Sequence, residues 1–264
     1  MSEHLPEEIQ NHYESEIRED LRLRKGLGRL EFLRTQEVVR RHLPRPGMRI
    51  LDVGGGTGVH SEWLLADGHQ VHLIDPVVSH VMQASERLAD LSGFSAEVGD
   101  ARALTVDDAS FDVVLLFGPL YHLTDRADRL DAWREARRVI ERTGLVFGTG
   151  ITRYASLLDG LAQGFLFDDR FRGIVERDLA TGQHRNPTRE PGWFTTAYFH
   201  HPASWHKKQK KPDYMSERWW ASKVLPDGFI PSESGGTTPA TGRQSFFRLE
   251  PSNPNPPYRV SAHT

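Results

Sequence analysis

Asp52, Gly54, Gly56 and Gly58 stand at alternate positions in the stretch Arg49-Ile50-Leu51-Asp52-Val53-Gly54-Gly55-Gly56-Thr57-Gly58-Val59-His60. An apolar run passes through an acid into a glycine cluster, and helix-forming residues follow from Ser61 to Ala66. This reads as a strand, a tight turn and a helix N-terminus. Glycines let such a turn adopt positive φ and leave no Cβ between backbone and ligand, and the first N–H groups of the helix face the same space. The chemistry implied is the holding of a nucleotide-like ligand. A turn with a purely structural task would use the same glycines, so the assignment needs further residues.

Two strand ends supply them. The run Gln70 to Ile74 finishes at Asp75-Pro76, at the distance past the glycines where a nucleotide-binding β-α-β unit sets a carboxylate against ribose hydroxyls. An acid that merely ends a strand is the plainer alternative. Phe111 to Phe117, the most apolar run of the chain, ends at Gly118-Pro119-Leu120-Tyr121-His122-Leu123. Residues just beyond the carboxyl ends of parallel strands are where open α/β sheets carry out their chemistry. His122 is a candidate base, since imidazole titrates near neutral pH, and Tyr121 a group to orient a substrate. A histidine packed beneath a lid would look the same.

Spacing discriminates among nucleotide ligands. The dinucleotide fingerprint needs its third glycine three places after the second, where this chain has Val59, and no Gly-Lys-Ser/Thr follows to make a phosphate loop. Asp52-Val53-Gly54-Gly55-Gly56-Thr57-Gly58 instead resembles the acid-led E/DxGxGxG first motif of the class I S-adenosylmethionine (SAM)-dependent methyltransferases of small-molecule type. The resemblance extends from about Leu30 to His200 and includes the Gly118 to Leu123 stretch.

It implies SAM as cofactor, bound at Asp52, Gly54, Gly56 and Gly58, with Asp75 and Pro76 beside the ribose and Phe117 at the neighbouring strand end. It also puts Asp100 beside the adenine, its carboxylate accepting from the exocyclic amine while the Ala101 N–H meets a ring nitrogen. A helical N-terminal segment would cover the site, with Tyr13, Arg29 and Arg34 within reach of the methionine carboxylate, although arginines on such a helix also make an ordinary solvated face. Tyr121 and His122 would then serve an unidentified small-molecule methyl acceptor. Trp193, Phe194, Tyr198 and Phe199 suit an acceptor pocket and an ordinary core equally well.

These residues need a scaffold of alternating strands and helices. Apolar residues from Ile17 to Val39 recur at helical spacing, interrupted near Gly26 and Gly28 and stopped by Pro44-Arg45-Pro46-Gly47. Strands over Arg49–Val53, Gln70–Ile74, Ser95–Val98, Phe111–Phe117 and Gly144–Gly150 alternate with helices over Ser61–Asp67, Val77–Leu91 and Arg126–Ile140. That pattern specifies an α/β fold with a doubly wound, Rossmann-like, mostly parallel sheet. The divisions expected are a helical cap over 1–46, a cofactor-binding core over 47–150, a substrate cap over 151–202 that opens with a helix from Ile151 to Leu166, and an irregular tail over 203–264.

The chain has 264 residues, a formal net charge of -3 and no cysteine. Its length suffices for one large domain with an appendage. Disulfides and thiolate metal sites are excluded, which fits a reducing cytoplasm, and the acids and histidines show no metal-ligand spacing. The acidic, polar start does not read as a secretion signal, and no apolar run approaches the length of a membrane span. A cytoplasmic protein is expected, without a membrane partner.

After His201 the resemblance stops. Ser204 to Lys211 is basic, and the remainder is rich in Pro, Ser, Gly and Thr, where the family would add a helix and two strands to complete the order 3-2-1-4-5-7-6. Reading Trp205 to Leu225 one base out of frame forces Ala at Trp205/His206, Val at Trp219/Trp220 and Gly at Trp220/Ala221, and a TCN serine codon gives Val at Met215/Ser216. Permitted bases elsewhere give a helix-then-strand pattern, so residues from about Ala203 onward read as a frameshifted replacement.

Two rivals remain at this level. A nicotinamide-dependent oxidoreductase shares the fold but needs the glycine that Val59 replaces. A non-catalytic nucleic-acid binder would use Lys207, Lys208, Lys210 and Lys211 beside Trp205, Trp219 and Trp220, although one basic cluster on a slightly acidic chain is more often a solvated tail.

Overall fold

The computed structural model describes Leu23 and residues 26–43, 45–190 and 192–202. Tyr13, the tail from Ala203 with its lysines, and the frameshift reading of Trp205 to Leu225 lie outside the described residues.

Five parallel strands form the central sheet among the described residues: β1 (Arg49–Val53), β2 (Gln70–Asp75), β3 (Phe94–Val98), β4 (Phe111–Leu116) and β5 (Ile140–Gly148). Their order is β3-β2-β1-β4-β5, with Val53 level with Ile74 on one side and Leu116 on the other. Within these residues β5 pairs on one side, with β4.

Side chains alternate across each strand, and both faces are covered. Leu51, Val53, Val114, Leu116 and Val146 pack with α5 (Arg126–Val139) through Ala132, Trp133, Ala136 and Val139. Ile50, Val113, Leu115 and Leu145 face Val39 of α1 (Gly26–His42) and Trp63, Leu64 and Leu65 of α2 (Val59–Ala66). Burial on both faces is what makes β4 read as an unbroken apolar run. A further flanking helix is α3 (Val78–Arg87), and a one-turn helix α4 (Pro119–His122) follows β4.

Four expectations are corrected. α1 runs through Gly28 without interruption; a helical glycine costs only about 1 kcal/mol, and Thr35, Gln36, Val38 and Val39 bury the later turns. Leu30 and Leu33 of the apolar stripe are exposed. α3 ends at Arg87 rather than Leu91, closing in a turn where Leu91 N–H donates to Leu88 O at 3.0 Å. β5 begins at Ile140, four residues before Gly144, because Ile140 pairs with Phe111 ahead of a register shift. Its polar start, Glu141-Arg142-Thr143, hides that from a hydrophobic pattern.

The segment after β5 builds a second, smaller unit. β6 (Ile151–Thr152), α6 (Ala155–Gln163), a 3-10 turn (Phe165–Phe167), α7 (Asp169–Thr181), β7 (Gln183–His184) and β8 (Ala197–His200) follow in order. The three strands form a sheet ordered β6-β8-β7, so the expected helix from Ile151 is a strand before it is a helix. Among the described residues no helix is long and apolar enough to cross a membrane.

Candidate cofactor and acceptor site

The loop between β1 and α2 is built on positive φ: +68° at Gly54, +57° at Gly56 and +77° at Gly58. L-residues with a Cβ rarely adopt this region, which accounts for glycine at each alternate place. Gly54 N–H donates to Ile74 O at 2.7 Å and Gly58 N–H to Gly55 O at 3.0 Å. A Cβ on Gly56 would meet nothing within 4 Å, so the loop is open on that side.

Asp75 closes the loop from the next strand. One carboxylate oxygen accepts the Gly56 N–H at 2.8 Å; the other accepts the Val77 N–H at 2.9 Å and lies 3.2 Å from His80 Nδ1. The side chain is buried, and its next residue, Pro76, is exposed. Asp75 is therefore in register with the glycine loop and also a structural tie within it.

Asp52 sits elsewhere than the motif reading suggests. It is buried under the loop, where a Cβ on Gly55 would lie 2.9 Å from its carboxyl carbon. Its Oδ2 accepts the Ser61 hydroxyl at 2.8 Å. Burial pushes its pKa up to about 6, opposed by the Ser61 hydrogen bond and reinforced by the charge of Asp75. Asp52 supports the loop from below rather than lining its open side. Thr57, which sequence reading passed over, carries a buried hydroxyl oxygen with no hydrogen-bond partner, within the loop that would receive a polar ligand.

Asp100 follows β3, and Gly99 N–H donates to Asp75 O at 3.1 Å, which sets the two acids at adjacent strand ends. Arg102 grips the Asp100 carboxylate through Nη2 at 2.6 Å and Nε at 3.0 Å, and reaches Asp128 of α5 at 3.0 Å. Burial alone would raise the Asp100 pKa, but the Arg102 side-chain and backbone hydrogen bonds and its charge outweigh it, and the carboxyl is held below its ordinary value. Ala101 is buried in the core. Arg102 had a signal in the sequence, an arginine two places beyond the acid, that was not used.

Phe117 directly follows β4, its ring 5.0 Å from that of His60, which in turn lies 5.4 Å from Phe32 of α1. His60 is a second residue the sequence reading missed: Trp63 Nε1–H donates to its Nδ1 at 3.3 Å. The N-terminal helix thus reaches the loop through Phe32. Arg34 pairs with Glu37 on the same helix, and Arg29 is exposed.

The acceptor side begins at Gly118. A Cβ there would lie 3.1 Å from Gly54 O, and a Cβ on Gly54 would lie 2.7 Å from Pro119 Cδ. The turn that carries Tyr121 and His122 therefore presses on the cofactor loop. The Tyr121 and His122 rings are 4.5 Å apart, both partly buried. β8 backs this turn: His200 Nε2–H donates to Leu120 O at 3.0 Å. Beside it Arg129, buried and shifted down in pKa by that burial, donates to Leu123 O at 2.6 Å and lies 3.6 Å over the Tyr198 ring.

Of the four aromatics named for a pocket, Trp193 and Phe199 are buried in the cap, and Phe194 and Tyr198 are partly buried. Among the described residues no group of three or more His, Asp or Glu side chains is arranged to hold a metal ion.

The parallel sheet ordered β3-β2-β1-β4-β5, with a glycine loop after β1 and acids after β2 and β3, is the arrangement that the resemblance to class I SAM-dependent methyltransferases implies. Residues 50–144 match the family model described as a methyltransferase domain. A ubiquinone biosynthesis O-methyltransferase of Methylocella silvestris is 34% identical over 117 residues, 43% of this chain and 44% of that protein. A ubiquinone/menaquinone biosynthesis C-methyltransferase of Acidiphilium cryptum is 36% identical over 110 residues, 39% of this chain and 42% of that one. The chain thus spans less than half the length of these relatives. A solved SAM-dependent methyltransferase of Methanosarcina mazei, 19% identical, shares the fold with a TM-score of 0.50 over 63% of this chain and 78% of its own.

Proposed function

We propose that this chain transfers a methyl group from SAM to a small-molecule acceptor. The observation that carries the reading is the junction of Gly54 with Pro119, which puts a cofactor loop and the Tyr121-His122 turn in direct contact. The loop suits SAM on its own terms: it is open beside Gly56 and offers a buried, unpartnered Thr57 hydroxyl. Val59 argues against the nicotinamide alternative, since a buried side chain occupies the place where a dinucleotide fold needs glycine.

Bound here, SAM supplies an electrophilic methyl group on a cationic sulfur. Gly54, Gly56 and Gly58 would pass its backbone-facing side without a Cβ, and Asp75 would hold the ribose hydroxyls with the acceptor capacity left beside its protein bonds. Asp100, kept ionised by Arg102, would accept from the adenine amine, and Ala101 would offer its N–H. Tyr121 orients the acceptor, and His122 takes up the proton that an oxygen or nitrogen nucleophile must lose. Holding the two reactants together in a water-poor turn provides much of the rate.

The division into a helical cap, a core over 47–150 and a substrate cap over 151–202 belongs to the same proposal, as does cytoplasmic residence, which the absence of cysteine supports. The decisive test is calorimetry of the folded chain with SAM and S-adenosylhomocysteine. Binding of both in the micromolar range is expected, and failure with both overturns the reading.

A further inference from the structure

Under the acceptor turn lies a polar group that the methyl-transfer reading leaves without a task. Ser156 of α6, Asp178 of α7 and His184 of β7 are each fully buried. Asp178 Oδ2 lies 2.7 Å from His184 Nδ1 and accepts the Ser156 hydroxyl at 2.5 Å. The other ring nitrogen, Nε2, is 3.1 Å from the carbonyl oxygen of Phe194. A carbonyl only accepts, so Nε2 carries a hydrogen. The contact between Nδ1 and Oδ2 then needs a second proton, on one atom or the other. The group therefore holds one proton more than a neutral imidazole and a carboxylate. Its net charge is zero, which suits complete burial.

The proton count fixes a ring plane, and that plane leads to the site. The His184 imidazole stacks on Phe199 with centroids 4.7 Å apart and 15° between planes, and Phe194 meets both rings edge-on. Phe199 is the centre of a small core against which Tyr121 packs. The next residue, His200, donates to Leu120 O in the same turn. One rigid path thus runs from His184 through Phe199 and His200 to the residues that would meet the acceptor.

We propose that His184 is a positioning residue for the acceptor side: the proton it shares with Asp178 sets its ring, the ring seats Phe199, and β8 holds the Tyr121-His122 turn. The purpose of this path rests on the methyl-transfer reading; the path itself does not. The titratable groups facing it are few. α6 contributes Asp159, whose unpaired Oδ1 is buried and which burial pushes up to about 7, with His184 opposing; α7 contributes Asp178. β8 contributes His200, which donates to Leu120 O, beside the uncharged Phe199, and the segment before it contributes the uncharged Phe194. Arg153 is directed at the Thr181 carbonyl at 3.2 Å.

The test uses the full chain labelled with ¹⁵N-histidine and ¹³C-tyrosine, with NMR between pH 6 and 8 and SAM calorimetry on the same samples. In the parent protein His184 is expected to show two exchange-protected ring environments, one facing Phe194 O and one facing Asp178. Asp178→Asn should shift the His200 and Tyr121 signals while leaving SAM affinity within twofold. Ser156→Ala, a milder change that keeps the shared proton, should move the same signals less and in the same direction, and serves if Asp178→Asn does not fold. Signals of His200 and Tyr121 that stay fixed while those of His184 change overturn the proposal, as does a His184 ring unprotonated at the nitrogen facing Phe194. A chain that shows the coupling but binds no SAM keeps the path and removes the methyl-transfer reading.

Discussion

One oxygen of Asp75 accepts the backbone N–H of Gly56 at 2.8 Å, tying the end of β2 to the loop after β1. The carboxylate that would meet a ribose is therefore also the brace that fixes the loop conformation. Asp75→Ala is expected to weaken SAM binding by about 1–3 kcal/mol, roughly five- to 150-fold, since charged hydrogen bonds are each worth roughly 1.5–3 kcal/mol. Asp75→Asn, which keeps an acceptor oxygen, should lose less. Calorimetry of the two variants side by side checks the order.

Gly56→Val should abolish SAM binding with a modest change in melting temperature. Its Cβ has open space around it, so the obstacle is the φ of +57°. A left-handed backbone costs an L-residue about 1–2 kcal/mol, more when β-branched, and relaxing it withdraws the N–H from Asp75. A variant that binds normally would show the loop to be more tolerant than its geometry implies.

His122→Ala is expected to reduce turnover of the true acceptor by one to several orders of magnitude, the usual span of general-base catalysis, and to leave SAM affinity nearly unchanged. Single-turnover rates with saturating SAM separate the two effects. An unchanged rate would remove His122 from the chemistry.

Asp159 predicts a pH dependence of stability. Its pKa is pushed up to about 7 by burial, against about 3.9 for an exposed aspartate. The folded state thus binds the proton more tightly than the unfolded state. The contribution is complete below about pH 4 and is lost as pH rises through 7. Asp159→Asn, which cannot ionise, should raise the melting temperature at pH 8 and have little effect at pH 4. Parallel thermal melts at the two pH values test the sign.

The codons under Trp205 to Leu225 provide a test that needs no protein. A frameshifted origin requires that the shifted frame encode a helix-then-strand pattern around the forced Ala, Val and Gly. Stop codons or a patternless polar run in that frame would refute it.

The β1-loop-α2 unit was legible because its signals are local: β-branched residues, then glycines wherever φ is positive. Asp75 and Asp100 were legible for the same reason, as acids at strand ends. The position of Asp52 beneath the loop was not legible, because a motif place says nothing of which side of the loop a residue occupies; Ser61, nine residues on, decides that. His60 escaped notice because its ring partners, Phe32 and Phe117, are distant in sequence, whereas the signal for Arg102, two places beyond Asp100, was local. β6 and β7, of two residues each, are too short to display a period of two, and they exist because β8 lies between them.

The contact of Gly54 with Pro119 also restricts how this sequence can drift. Any side chain at Gly54 would overlap the proline ring, and Pro119 opens the turn that carries Tyr121. Substitutions at the two positions are therefore non-additive: Gly54→Ala alone meets both the proline ring and the strain of its φ of +68°, whereas after Pro119→Ala only the backbone strain remains. On the proposed reading, specificity for the acceptor and affinity for the cofactor would share this one junction, and an engineered change of acceptor that reshapes residues 118–122 would have to be paired with compensation at Gly54.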